Sequence, residues 1–198
     1  MEKRKYPERV TLISNLIHDR EAIMLYSPTG VGKTWLSLSI AMMVAGKGQL
    51  EVLDWENKDP QPVCYVDGEM LEEDMQERIK MLIPSLNVDE EELRKNFSYL
   101  SRVSQPDEVD EFLSLDLEEN QMELLKWLYE STEKGKSPLV LLDNLSNLVE
   151  LGDDNSAGQM QPFTIMLTKA RKQGCSMGII HHSGKAMTIG PDGIPMEG

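Results

Sequence analysis

Two cysteines are all that this chain of 198 residues contains. Cys64 and Cys175 each lie inside an apolar run that reads as a buried strand. That pattern excludes a disulfide framework or a zinc site and points to a cytoplasmic protein. Long hydrophobic runs are missing too: no stretch approaches the roughly 18 apolar residues of a membrane span. The start, residues 1–5, is basic, but the segment 10–17 is interrupted by Thr11, Ser14 and Asn15. His18, Asp19 and Arg20 follow with no small-residue cleavage site, so the segment does not read as a secretory leader. No internal repeat or low-complexity segment stands out.

Basic residues are scarce as well. There are 20 Lys and Arg against 34 Asp and Glu, a net charge of −14, which taken alone argues against a nucleic-acid partner. The distribution matters more than the sum. Residues 51–134 hold 24 acids and 8 bases, and the rest of the chain holds 10 acids and 12 bases. The acidity therefore belongs to the middle of the chain, densest at residues 89–92, and reads as a solvated outer face.

From Ala22 onward, short apolar runs alternate with helical patterns, as expected for βαβ units around a parallel sheet. Residues 22–26, 63–66, 97–103, 138–142 and 175–181 read as strands, the continuous apolar ones as strands buried on both faces. A helix over Lys33–Ala45 is apolar almost all round and is expected in the interior. Leu71, Met75, Ile79 and Leu82 mark an amphipathic helix stopped at Pro84. Met122, Leu125, Leu128 and Tyr129 mark another, closed near Gly135, and a third runs from about Pro162 to Gly174. Residues 46–62 and 144–161 are the long connections, a length usually tied to function. The expected organisation is a lead-in at residues 1–21, an α/β core at 22–185 and a flexible Gly- and Pro-rich tail at 186–198, with the domain cut short at its C-terminus.

Between the first strand and the first helix stands Ser27-Pro28-Thr29-Gly30-Val31-Gly32-Lys33-Thr34, a P-loop in which Ser27 replaces the first glycine. Gly30 and Gly32 let the backbone curl so that successive N–H groups face phosphates at a helix N-terminus. Lys33 is placed to reach the β- and γ-phosphates, and the Thr34 hydroxyl to ligate Mg²⁺. The residues expected around the nucleotide are Pro28, Thr29, Gly30, Val31, Gly32, Lys33, Thr34 and Trp35. Asp143 ends an apolar strand at the edge where parallel sheets collect ligands, and can hold the metal or cap a helix. Glu69 ends the stretch Val63-Cys64-Tyr65-Val66-Asp67-Gly68-Glu69. If that strand neighbours the one ending in Asp143, Glu69 can polarise an attacking water; otherwise it or Asp67 caps the helix near Leu71. The adjacent His181 and His182 point to opposite faces, so only one of them can serve the phosphates, with His182 the better placed sensor. Lys185 is either a charge donor to a neighbouring subunit's nucleotide or a solvated loop lysine.

Together these segments resemble the RecA-type ATPase core, and most closely the plasmid RepA-type hexameric helicase group of AAA-family ATPases. The resemblance rests on residues 27–35 (SPTGVGKTW), 63–70 (VCYVDGEM), Gln76-Glu77-Arg78, 138–148 (PLVLLDNLSNL) and 179–185 (IIHHSGK). It implies a RecA-like P-loop NTPase fold, a mostly parallel central sheet with helices on both faces. It further implies that Lys33 and Thr34 hold MgATP, that Glu69 activates water, that Asp143 holds the metal and that His182 senses the γ-phosphate. Such proteins form hexameric rings with ATP or ADP at subunit interfaces and act on single-stranded DNA. Glu150, Asp153 and Asp154 make the loop 144–161 acidic, which opposes contact with a phosphate backbone. The leading expectation is a ring-forming motor ATPase on single-stranded DNA. An ATP-dependent regulatory switch without helicase activity is the alternative. A small-molecule kinase ranks last, because Arg78, Arg94 and Arg102 form no lid-like cluster.

Overall fold

A computed structural model describes residues 8–104, 114–149, 161–182, 187–189 and 195–197. The centre is a sheet of five parallel strands in the order β3 (Ala22–Ser27), β9 (Ser176–His182), β8 (Leu139–Asp143), β6 (Val63–Asp67) and β7 (Phe97–Ser101). The strands preceding β3 are β1 (Thr11–Ile13) and β2 (Ile17–His18), and β4 (Gln49–Leu50) and β5 (Trp55–Glu56) lie between β3 and β6. Along β6 and β8 every residue is buried. Their side chains alternate between two separate cores, as a period of two requires. Val63, Tyr65, Leu139, Leu141 and Ile180 face one core; Cys64, Val66, Val140, Leu142, Met177 and Ile179 face the other.

The first core is filled by α1 (Lys33–Ala45), α2 (Glu72–Leu86) and α3 (Glu90–Asn96), the second by α4 (Glu118–Ser131), α5 (Leu145–Leu148) and α6 (Gln161–Lys172). Helices thus cover both faces of a parallel sheet, the RecA-like α/β architecture. Ten of the thirteen residues of α1 are buried, so this helix packs on nearly all sides. Each fully buried Leu, Ile or Met contributes on the order of 2 kcal/mol. On β9, Gly178 lets β8 crowd in, since a Cβ there would lie 2.2 Å from Leu141 Cδ2. Among the described residues β3 has a sheet partner on one side only, and its Met24 and Tyr26 are exposed.

Several elements depart from the sequence expectation. The helix expected to stop at Pro84 continues to Leu86 and ends on Asn87 in the left-handed region (φ 45°). Pro84 removes one bond of the last turn, and Leu86, buried to 1% exposure, holds that turn against the core. The acidic run 89–92 is largely exposed, as expected of a solvated face, and it is also the start of a helix, α3, that was not anticipated. Asp89 accepts hydrogen bonds from the N–H groups of Glu91 and Glu92, and three glutamates line the first turn, where the helix dipole favours them. The connection 46–62 contains an antiparallel ribbon of β4 with β5 around a single 3₁₀ turn. Leu12, Ile13 and Ile17 of the lead-in join the first core. In the tail, β10 (Met187–Ile189) pairs antiparallel with β11 (Pro195–Glu197) where an aperiodic loop was expected. The remainder of that tail, Lys185 and the acidic positions Glu150, Asp153 and Asp154 lie outside the described residues.

Candidate active site at the C-terminal edge of the sheet

The strand order brings the ends of β3, β9, β8 and β6 side by side along one edge, where the expected site residues lie. In the turn from β3 to α1, Gly30 and Gly32 have φ of 84° and 95°, a region that side-chain-bearing residues rarely enter. Gly32 is the N-cap of α1; among the described residues no side chain caps that helix, and no acid occupies its first turn. Its leading N–H groups are thus left to an external acceptor, and the dipole favours an anion there. The Lys33 ammonium donates to the carbonyls of Ser27 (2.8 Å) and Pro28 (2.7 Å), which ties the turn into a loop. Lys33 is 8% exposed and, among the described residues, forms no ion pair. One of its three donors remains for an anion. Ser27, the unusual first residue of the loop, buries a hydroxyl oxygen with no partner among the described residues. Trp35 follows Thr34 and carries the Arg78 guanidinium of α2 over its ring at 5.0 Å.

At the end of β8, Asp143 accepts a hydrogen bond from the Tyr65 phenol (2.6 Å), and the Thr34 hydroxyl bonds to the same carboxylate. The phenol is in turn 2.7 Å from Ser37 Oγ of α1. Burial raises the Asp143 carboxyl above its ordinary range, the bonds from Tyr65 and Thr34 oppose that, and the charge of Glu69 reinforces it. Tyr65 was not singled out in the sequence. The signal available was a phenol inside an otherwise aliphatic buried strand, since a buried hydroxyl needs a partner.

Strand β6 pairs with β8 so that Asp67 lies opposite Asp143. Asp67 Oδ1 accepts the N–H groups of Glu69 (2.7 Å) and Met70 (2.8 Å), an Asx-type turn that aims the chain out of the strand. Neither Asp67 nor Glu69 caps α2, whose N-cap is Leu71 without a side-chain bond. Glu69 Oε1 instead accepts the side-chain amides of Asn144 (2.5 Å) and Asn147 (2.9 Å), and lies 3.9 Å from His182 Nε2. His182 Nδ1 is 3.3 Å from Thr29 Oγ1 of the loop. His181 faces away: its ring stacks on Tyr26 with centroids 5.7 Å apart, and its Nδ1 is 3.3 Å from Ser146 Oγ. Burial, then the charges of His182 and Lys33, lower its pKa. The loop, Thr34 with Asp143, and Glu69 with His182 therefore meet at one edge. Asn144 and Asn147 join them without having been anticipated as site residues.

Burial pushes the Asp67 carboxyl up to about 6, against two backbone bonds that pull it down. The folded protein thus holds this proton more tightly than the unfolded chain. The stability it contributes is complete below about pH 4 and lost as pH rises through about 6. Asp67→Asn keeps an acceptor for both N–H groups and carries no charge. Its melting temperature is expected to exceed that of the wild type at pH 7–8, by an amount equivalent to about 3 kcal/mol at most, with the gap closing towards pH 4. A gap independent of pH would contradict the assignment.

Residues 2–187 match the AAA domain family over most of the chain. The chain belongs to the AAA domain family. This AAA domain contains a P-loop ATPase core, and its fold is shared with known structures. It superposes on a KaiC-like protein from the hyperthermophilic archaeon Pyrococcus horikoshii with a TM-score of 0.53 and 13% sequence identity, over 87% of this chain and 65% of that one. The AAA domain thus spans about two thirds of the length of that structure, and the likeness is one of fold. No curated protein matches the chain. Among the described residues no helix of the AAA domain is long and apolar enough to cross a membrane.

Proposed function

We propose that this AAA domain binds ATP with Mg²⁺ and hydrolyses it as a RecA-like motor of the RepA helicase type, working as a hexameric ring on single-stranded DNA. The observation that supports hydrolysis is the meeting of Thr29, Thr34, Glu69, Asp143 and His182 at one sheet edge. The uncapped N-terminus of α1 and the spare donor of Lys33 suit a triphosphate. Backbone and side chains from Pro28 to Trp35 would hold it, with the ammonium on its terminal groups. Among the described residues no group of three or more His, Cys, Asp or Glu could hold a metal by itself. Thr34 and Asp143 supply two oxygen atoms, the number a Mg²⁺ ion needs when the remaining ligands are phosphates and water, and the ion would supply charge neutralisation there. Glu69 is the carboxylate placed to take a proton from water, and His182, bridging the loop and Glu69, is placed to register the state of the terminal phosphate.

The excess of acids, a net charge of −14, favours a second reading: an ATP-dependent switch that binds protein partners and no DNA. Titration of labelled single-stranded DNA with the protein and a non-hydrolysable ATP analogue separates the two. For the motor, binding is expected at low salt, with affinity falling about tenfold or more between 50 and 200 mM salt. Absence of binding at the lowest salt would leave the switch.

A further inference from the structure

We propose that Asn147 is a positioning residue for Glu69, acting with Asn144, and that Gly68 is the residue that admits it. The proposal rests on the reading of Glu69 as the group that takes the proton from water. A glutamate at a strand exit has three side-chain torsions, and this one is half exposed. Two amide donors on one oxygen remove that freedom. Asn144 Nδ2 and Asn147 Nδ2 both donate to Oε1, so the lone pairs left for a water are those of Oε2.

Asn147 is itself held from several sides. Its N–H bonds to Asn144 Oδ1 at 3.2 Å, and Arg102, just beyond β7, donates to its carbonyl. Its helix is seated by Leu145 and Leu148, both buried in the second core. The approach of this turn to β6 is unusually close. A Cβ on Gly68 would lie 2.8 Å from Asn147 Cβ and 3.4 Å from Leu148 Cδ2. Gly68 does not adopt a left-handed φ, so its backbone would accept alanine. What excludes a side chain is the shelf carrying Asn147.

The test is the steady-state ATPase kinetics of Asn147→Ala, alone and combined with Glu69→Gln, alongside nucleotide affinity and melting temperature. Loss of one hydrogen bond to a charged group is expected to lower kcat about tenfold, with KM and nucleotide affinity within about twofold of wild type. In the Glu69→Gln background the same change should alter the residual turnover by less than about twofold, because the group it positions is gone. Gly68→Ala, which pushes the shelf away without removing the amide, should lower kcat in the same direction. Asn147→Asp keeps the size and replaces a donor by an acceptor, so it should lower kcat at least as much as alanine; a packing role would leave it near wild type. Full turnover in Asn147→Ala, or an equal loss in both backgrounds, would overturn the proposal while leaving Glu69 in place. Full turnover in Glu69→Gln alone would overturn both readings, and that single variant tells the two failures apart.

Discussion

Lys33→Ala is expected to abolish ATP binding while the fold persists. Lys33 is buried as a residue, and its ammonium bonds to two carbonyls of its own loop, at 2.8 and 2.7 Å, with no carboxylate partner among the described residues. A desolvated cation without a counter-ion is costly unless an anion arrives. Removing it takes away the charge that would meet the phosphates and the tie that shapes the loop. Loss of a buried partner of this kind corresponds to an affinity lower by roughly two to three orders of magnitude. Titration calorimetry with ATP measures this, and the far-ultraviolet circular dichroism should be unchanged because α1 is still seated by its buried residues from Ser37 to Ala45. Binding at wild-type strength would show that the phosphates do not lie on this turn.

Glu69→Gln should do the opposite: binding stays and turnover is lost. The amide is the same size and keeps an oxygen for Asn144 and Asn147, so the surroundings are preserved. What disappears is an acceptor for the proton of water, a contribution of about 10²–10⁴ in rate. A coupled phosphate-release assay under saturating ATP reads the loss, and an unchanged dissociation constant separates it from a binding defect. Turnover at the wild-type rate would remove Glu69 from this role.

The parts of this molecule that the sequence displayed are those in which one residue pattern has one solution. Strands buried on both faces, such as Val63–Asp67 and Leu139–Asp143, read as continuous apolar runs because both sides of the sheet demand it. The loop at residues 27–34 was visible because glycines at positive φ and a lysine at a helix start have few other uses. What stayed hidden depends on contacts between distant segments. Tyr65 reaches Asp143 across 78 residues, and Asn147 reaches Glu69 across the same separation; nothing in either local stretch names the partner. The start of α3 was missed for a different reason. A run of acids is compatible with any solvated surface until the Asp89 side chain is seen closing on two backbone N–H groups. Pro84 misled because its position in the last turn costs only one backbone bond.

The order of the sheet divides the edge that carries the candidate site into unequal halves. Asp143 ends β8 and Glu69 lies just beyond β6, each strand laddered to neighbours on both sides, whereas the glycine turn hangs from β3, which has one neighbour among the described residues. The two halves are nevertheless tied together, because Thr34 bonds to Asp143 and His182 touches both Thr29 and Glu69, so a shift of the border strand is passed on to the acids.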